Sequence, residues 1–311
     1  MTQNRAFVVL NPVAGISQAD PLEETIGHAL DEAGWDYTIH KTEASEDIAQ
    51  TVRAVLDKGY TTVVAAGGDG TVSATADGLV GSEIPLGIVP SGTGNALARG
   101  MGIPNSAANA VALITGAHRH KPIDALNFDG RHYFLNLSIG VSAAAMADTG
   151  RTEKRRLGVI AYLITGIQKL AGLQPAGYEL TIDGAYRYVH AADIVVTNTG
   201  IIGISALKLA PDSAMDDGEV AVCIIRGRTL FGYITALLNA LLRRPRDQRI
   251  ECLPARERIE IAATRPLPVQ ADGEPIGRQR AEIQIVPHAV KLIVPEEEDQ
   301  RPNNWWRLAQ R

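Results

Sequence analysis

The residues best placed to do chemistry lie in short glycine-rich turns. Gly67-Gly68-Asp69-Gly70-Thr71 follows the apolar run TTVVAA and precedes a stretch of helical character, so glycines surround one carboxylate. Asn11-Pro12-Val13-Ala14-Gly15 follows RAFVVLN, and Ser91-Gly92-Thr93-Gly94-Asn95 follows PLGIVP. A strand, a glycine turn and a helix N-terminus together present backbone N–H groups to an anion such as phosphate. Glycine admits close backbone approach there. A bare carboxylate beside phosphate repels it, so Asp69 becomes useful when Mg2+ or a transferable proton stands between them. The chemistry indicated is phosphoryl transfer from a nucleoside triphosphate. Neither GxxxxGK[ST] nor GxGxxG occurs in these turns.

A second set lies late in the chain. Asp272-Gly273 is a hairpin signal, as are Asp129-Gly130 and Asp183-Gly184. Of these turns only Asp272-Gly273 is followed at once by a carboxylate, Glu274. The turn would aim Glu274 at a substrate, where it can take the proton of a hydroxyl attacking a γ-phosphate. The acidic run Asp212, Asp216, Asp217 and Glu219 lacks the spacing of a twelve-residue calcium loop. It is read as a solvated turn or a single hard-cation site. The histidines show no metal-ligand spacing and are assigned no chemistry. Cys223 and Cys252 form no CxxC pair and lie in apolar surroundings, so reduced core thiols are expected.

These groups need elements to hold them. Strand-like and helix-like runs alternate over the first 120 or so residues. The pattern predicts a helix from Asp20-Pro21 to Gly34, a strand at WDYTIHK, a helix over Glu46 to Asp57, and one or two helices after Asn95. Such alternation makes a parallel sheet with helices on its faces, and puts the three glycine turns at the carboxyl ends of strands. Near Lys121-Pro122 the period changes. HYFLNLSIGV, YELTIDG, YRYVHAADIVVTN, EVAVCIIR, RIEIAA and AEIQIV, with AVKLIVP last, predict an antiparallel sheet or sandwich. Helical stretches are expected over 155–171 and 229–244, the second, with its basic end, read as a core helix ahead of one lying at a membrane surface. Trp305 and Trp306 read as a packed terminal patch. The net charge of -5 gives no bulk reason to expect nucleic acid. No apolar run reaches the ~20 residues that span a bilayer, and no signal-peptide pattern opens the chain. A cytoplasmic protein is expected.

LNPVAG, AAGGDGTVSATADGL and GIVPSGTGNALAR, in that order, and then KLAPDSAMDDGEVAVCII and VQADGEPI, are spread along the chain from Leu10 to Ile276. Together they resemble the catalytic region shared by diacylglycerol kinases, sphingosine and ceramide kinases, and bacterial soluble lipid kinases. The resemblance implies an α/β nucleotide domain over 1–124 and a β-rich lipid domain over 125–289, with a cleft between them. Segment 290–311 is expected to pack back on the first domain. The implied ATP contacts are Asn11, Pro12, Gly15, Thr42, Gly67, Gly68, Asp69, Gly70, Thr71, Ser73, Gly92, Thr93 and Asn95. Glu274 falls on the family's catalytic base, with Asp272 beside it and Asp69 organising the metal or the transferring phosphate. A structural Mg2+ falls on the Asp217 carboxylate and the backbone oxygens of Ala214 and Glu219. Ala96, after Asn95, departs from the GTxND of diacylglycerol kinases and matches the GNALA of sphingosine-type kinases. The expected activity is an ATP- and Mg2+-dependent lipid kinase acting on diacylglycerol or a related glycerolipid. The alternatives are a sphingoid-base or ceramide kinase, an NAD kinase-like enzyme, and a non-catalytic nucleotide- or lipid-binding regulator. The partners implied are a lipid met peripherally and transiently at a membrane surface, no nucleic acid, and a homodimer as a candidate assembly.

Overall fold

The computed structural model describes residues 4–13, 19–140, 143, 175–199, 214–226, 249–278 and 280–296. The helices expected over 155–171 and 229–244, Gly15, Trp305 and Trp306 lie outside the described residues. The chain divides into two compact units, one within Met1–Thr75, Ser82–Lys121 and Lys291–Arg311, the other Ala76–Gly81 and Pro122–Val290.

The first unit alternates strand and helix: β1 (Arg5–Leu10), α1 (Ala19–Glu32), β2 (Asp36–Lys41), α2 (Ile48–Arg53), β3 (Thr62–Gly67), α3 (Asp69–Leu79, of which Ala76 onward belongs to the second unit), β4 (Leu86–Pro90), α4 (Ala96–Gly100) and α5 (Ala107–Thr115). The strands pair in parallel in the order β2-β1-β3-β4. The central strands β1, β3 and β4 are buried almost throughout, which is why they read as unbroken apolar runs. Ile26 and Leu30 of α1 and Ala110, Val111 and Ile114 of α5 pack with Val8, Val64 and Val89 in one core. Helix α2 is shorter than expected. Asp47 caps it through the N–H of Gln50, while the Glu46 carboxylate accepts from the Thr51 hydroxyl and the Glu43 N–H and meets His40 Nε2 at 2.6 Å.

The second unit is built from β5 (Arg119–Phe128), β6 (Arg131–Tyr133), β7 (Asn136–Gly140), β8 (Ala176–Ile182), β9 (Ala185–Ala191), β10 (Asp193–Thr197), β11 (Val220–Ile225), β12 (Ile250–Ala255), β13 (Arg258–Ala263), β14 (Pro268–Ala271), β15 (Glu274–Arg278) and β16 (Arg280–Val294). One antiparallel sheet runs β12-β11-β10-β7-β14-β15; the other runs β16-β13-β8-β9, with β5 against β16 and β6 against β5. Leu137, Ile139, Ile194, Val196, Val222 and Ile224 from the first sheet share a core with Tyr178, Leu180, Ile259, Ile261 and Ile283 from the second. The alternation along β13, exposed then buried, is the period-2 pattern of a strand with one wet face. From Lys291 onward β16 belongs to the first unit, where Leu292 pairs in parallel with Leu86 and Ile293 joins the core. A parallel α/β unit and an antiparallel β-sandwich are the fold class that the sequence predicts.

Four local expectations change. HYFLNLSIGV is two strands, β6 and β7, broken at Phe134-Leu135. YRYVHAADIVVTN is also two strands, β9 and β10, in different sheets. AEIQIV and AVKLIVP are one strand, β16, with His288 inside it at φ 51°. The cysteines are not reduced thiols. Strand β12, which the sequence did not reveal, pairs with β11 in a register that sets Cys252 opposite Cys223, with Cα atoms 4.0 Å apart and the sulfurs bonded at 2.06 Å.

Candidate active site

In the first unit the chain leaves β1, β2, β3 and β4 at Asn11, Thr42, Gly68 and Ser91, all at the carboxyl ends of parallel strands. Backbone bonds lace these exits together. The N–H of Asn11 donates to Ala66 O, that of Thr42 to Leu10 O and that of Ser91 to Gly67 O, at 2.9, 2.9 and 3.0 Å. Asn11 Nδ2 donates to Thr71 Oγ1 at 2.9 Å, and Asn11 Oδ1 accepts the N–H of Val13 at 3.1 Å. The glycines let two turns touch. A Cβ on Gly92 would stand 2.6 Å from the Gly68 Cα, and one on Gly94 would fall on Asp69 Oδ2. Asp69 opens the eleven-residue helix α3, and its Oδ1 accepts the N–H of Ala96 at 2.6 Å, tying the third turn to the second. Asn95 adopts φ 49° and closes its own turn, accepting the Gly92 N–H at 3.0 Å and donating to Gly92 O at 2.8 Å. Thr93 and Gly70 are exposed beside this lattice, and Ser73 lies one residue past the first turn of α3. The Ser91 hydroxyl is buried with no hydrogen-bond partner among the described residues. An orphan donor, close-packed glycine turns and a long helix N-terminus suit the phosphates of a nucleotide.

In the second unit Asp272 and Gly273 have φ 47° and 86°, and join β14 to β15. Asp129-Gly130 and Asp183-Gly184 likewise have positive φ at both residues, so all three are tight hairpin turns, as the sequence predicts. In two of them the aspartate also clamps backbone. Asp183 accepts the N–H groups of Arg256, Glu257 and Arg258. Asp272 accepts those of Phe134, Leu135 and Asn136, each at 3.0 Å. This clamp is the physical reason HYFLNLSIGV breaks: three successive N–H groups go to a carboxylate instead of a ladder. Gln270 supports the turn, accepting the Gly273 N–H and donating to Asn136 Oδ1 and Ser138 Oγ. Glu274 is exposed, and its carboxylate takes no hydrogen bond among the described residues. Burial pushes the Tyr133 phenol up; Arg131 opposes this, while Asp272, Glu274 and Asp77 reinforce it. These carboxylates therefore share one neighbourhood with Tyr133.

Residues 5–128 match the family model for the diacylglycerol kinase catalytic domain, and residues 136–294 match that for the YegS C-terminal NAD kinase beta sandwich-like domain. The chain belongs to the diacylglycerol kinase family. It is 32% identical to a Stenotrophomonas maltophilia protein named "Probable lipid kinase YegS-like", over 95% of this chain and 97% of that one. It is 28% identical to the diacylglycerol kinase of Bacillus subtilis, over 94% and 97%. A crystal structure of a diacylglycerol kinase from Bacillus anthracis shares its fold, with a TM-score of 0.77 at 24% identity over 95% of this chain and 99% of that one. Family membership carries phosphotransfer and the use of ATP.

Within this kinase, the expected cation residues form a turn before β11. Asp217 Oδ1 accepts the Glu219 N–H at 3.0 Å and Oδ2 accepts the Ala214 N–H at 3.3 Å, while the Glu219 side chain pairs with Arg256. Sequence reading missed Asp124 beside them. It is fully buried and accepts the N–H groups of Gly218 and His288, both at 2.8 Å. Burial lifts its carboxyl above the ordinary range, those two N–H groups pull the other way, and the Asp217 charge pushes it up again. A buried carboxylate with a second carboxylate close by suits a hard cation. Among the described residues no three His, Cys, Asp or Glu side chains cluster as a metal site. Sequence reading also missed Asp77, His132 and Asn127, which hydrogen-bond near the Asp272 turn. Nothing in their spacing signals it, because 55 residues separate Asp77 from His132.

Proposed function

We propose that the protein is an ATP-dependent lipid kinase that transfers the γ-phosphate to a hydroxyl of diacylglycerol or a related glycerolipid. The observation that carries this reading is the division of labour in one turn. Asp272 commits its carboxylate to backbone N–H groups, while Glu274, two residues on, stays exposed and takes no hydrogen bond among the described residues. Glu274 is the group left to accept the proton as the lipid oxygen bonds to the γ-phosphorus and the bond to the ADP oxygen breaks. Asn11, Gly67, Gly68, Gly70, Thr71, Ser73, Ser91 and Thr93 hold the nucleotide, and Asp69 and Asn95 shape the turns. Mg2+ travelling with the nucleotide would neutralise charge on the phosphates, and a second cation held by the Asp217 carboxylate would be structural. The lipid is met at a membrane surface; among the described residues no helix is long and apolar enough to cross one.

Ala96 supports a second reading. The position after Asn95 carries a methyl group, as in the GNALA of sphingosine-type kinases, and its N–H is already given to Asp69. The test is transfer of label from γ-labelled ATP to mixed micelles containing diacylglycerol, monoacylglycerol, phosphatidylglycerol, ceramide or sphingosine, with NAD in a separate tube. Label in a glycerolipid supports the first reading and label in a sphingolipid the second. Label in NAD alone, or in nothing while ATP is bound, refutes both.

A further inference from the structure

Asp77 lies near the end of α3 with a side chain only 7% exposed. A carboxylate so placed needs donors, and His132 supplies two. The His132 backbone N–H donates to Asp77 Oδ1 at 3.3 Å, and its ring Nδ1 stands 2.8 Å from the same oxygen. On the far side of the ring, Nε2 is 3.0 Å from Asn127 Nδ2. The orientation of that amide is fixed, because Asn127 Oδ1 accepts the Gly130 N–H at 3.3 Å in the Asp129-Gly130 turn. An amide nitrogen only donates, so Nε2 is the acceptor and Nδ1 carries the proton given to Asp77. The β5–β6 hairpin is thereby pinned at one point and in one tautomer.

The same strand leads straight into the Asp272 clamp. Two residues after His132 comes Phe134, the first of the three residues whose N–H groups Asp272 accepts. Between them, Tyr133 feels the charges of Asp272, Glu274 and Asp77 together. A purely apolar contact could bury this hairpin as well, but apolar contacts slide, whereas a bond at 2.8 Å fixes position.

We propose that Asp77, acting through His132, is a positioning residue for Glu274: it sets the backbone donors at 134–136 on which the Asp272-Gly273-Glu274 turn hangs. This rests on the reading of Glu274 as the base. The paired variants Asp77→Ala and Asp77→Asn, and His132→Leu and His132→Asn, separate the hydrogen bond from bulk packing. Asn at 77 keeps an acceptor for Nδ1–H, and Asn at 132 keeps a donor toward Asp77. Steady-state kinetics on the full chain would be combined with direct ATP binding, alongside Glu274→Gln and the double variant Asp77→Ala/Glu274→Gln.

The expected result is a kcat lower by about tenfold to a hundredfold in Asp77→Ala and His132→Leu, with ATP affinity and the KM for ATP within about twofold of wild type. Both Asn variants should keep most of kcat, and the double variant should be no slower than Glu274→Gln. If the Ala and Leu variants do not fold, the Asn variants carry the test, since each must retain turnover. An unchanged kcat in Asp77→Ala, equal damage in Asp77→Asn, or losses that add in the double variant would each overturn the positioning role. Full turnover in Glu274→Gln would instead overturn the underlying reading and this inference with it. A loss confined to Glu274→Gln overturns the positioning role alone.

Discussion

Asp69 Oδ1 accepts the backbone N–H of Ala96 at 2.6 Å, across 27 residues of sequence. The carboxylate among the glycines is therefore first a clamp between two turns. Its removal separates two roles. Asp69→Ala loses a charge-assisted bond worth about 1.5–3 kcal/mol, and should lower the melting temperature and ATP affinity together. Asp69→Asn keeps an acceptor for Ala96, so it should melt near wild type yet lose most turnover. Full metal-dependent turnover in Asp69→Asn would leave the clamp as its whole role.

Gly92→Ala tests the contact between the turns. The added Cβ meets the Gly68 Cα, which is backbone and cannot rotate away. Overpacking of this kind costs about 1–3 kcal/mol. ATP affinity should fall at least about tenfold while the sandwich unit keeps its circular-dichroism signal. Wild-type affinity would show that the turns need not touch.

Much of this was legible in the sequence, for local reasons. The apolar runs of β1, β3 and β4 and the glycines after them depend on neighbours in the chain, and so does the positive-φ turn at each Asp-Gly. What stayed hidden is non-local. Asp272 breaks a strand-like run at Phe134, 138 residues earlier, and Asp77 finds His132 only because a helix end and a hairpin meet. The disulfide followed from a register with β12, a strand whose sequence ECLPA carries no alternation. Asp272, which the resemblance sets beside Glu274, also accepts three backbone N–H groups from a distant part of the chain, a partnership that its Asp-Gly spacing does not signal.

Acid should loosen the edge of the first unit through Glu46. Burial would raise this carboxyl, but the Thr51 hydroxyl, the Glu43 N–H and His40 together hold it below its ordinary 4.5. A depressed carboxylate contributes stability that is present above the unfolded value and lost as pH falls through the folded one. Melting temperature should therefore drop below about pH 4.5, and Glu46→Gln should flatten that limb. An identical limb in the variant would assign the loss to other carboxylates.

A cation at Asp217 should show itself without nucleotide. Mg2+ or Ca2+ at a hundred times its dissociation constant stabilises the folded state by about 2.7 kcal/mol. Thermal melts of nucleotide-free protein should shift upward with the metal and return with a chelator, and Asp217→Asn should abolish the shift. No shift in the wild-type protein would leave 214–219 as a hydrogen-bonded turn.

The most direct measurement is the single-turnover rate of γ-phosphate transfer to the preferred lipid, in wild type and in Glu274→Gln at saturating ATP. A general base contributes about 10²–10⁴-fold, so the variant should bind ATP normally and transfer phosphate slower by that factor. A rate within a few-fold of wild type would remove Glu274 from the reaction and contradict the mechanism proposed for this kinase.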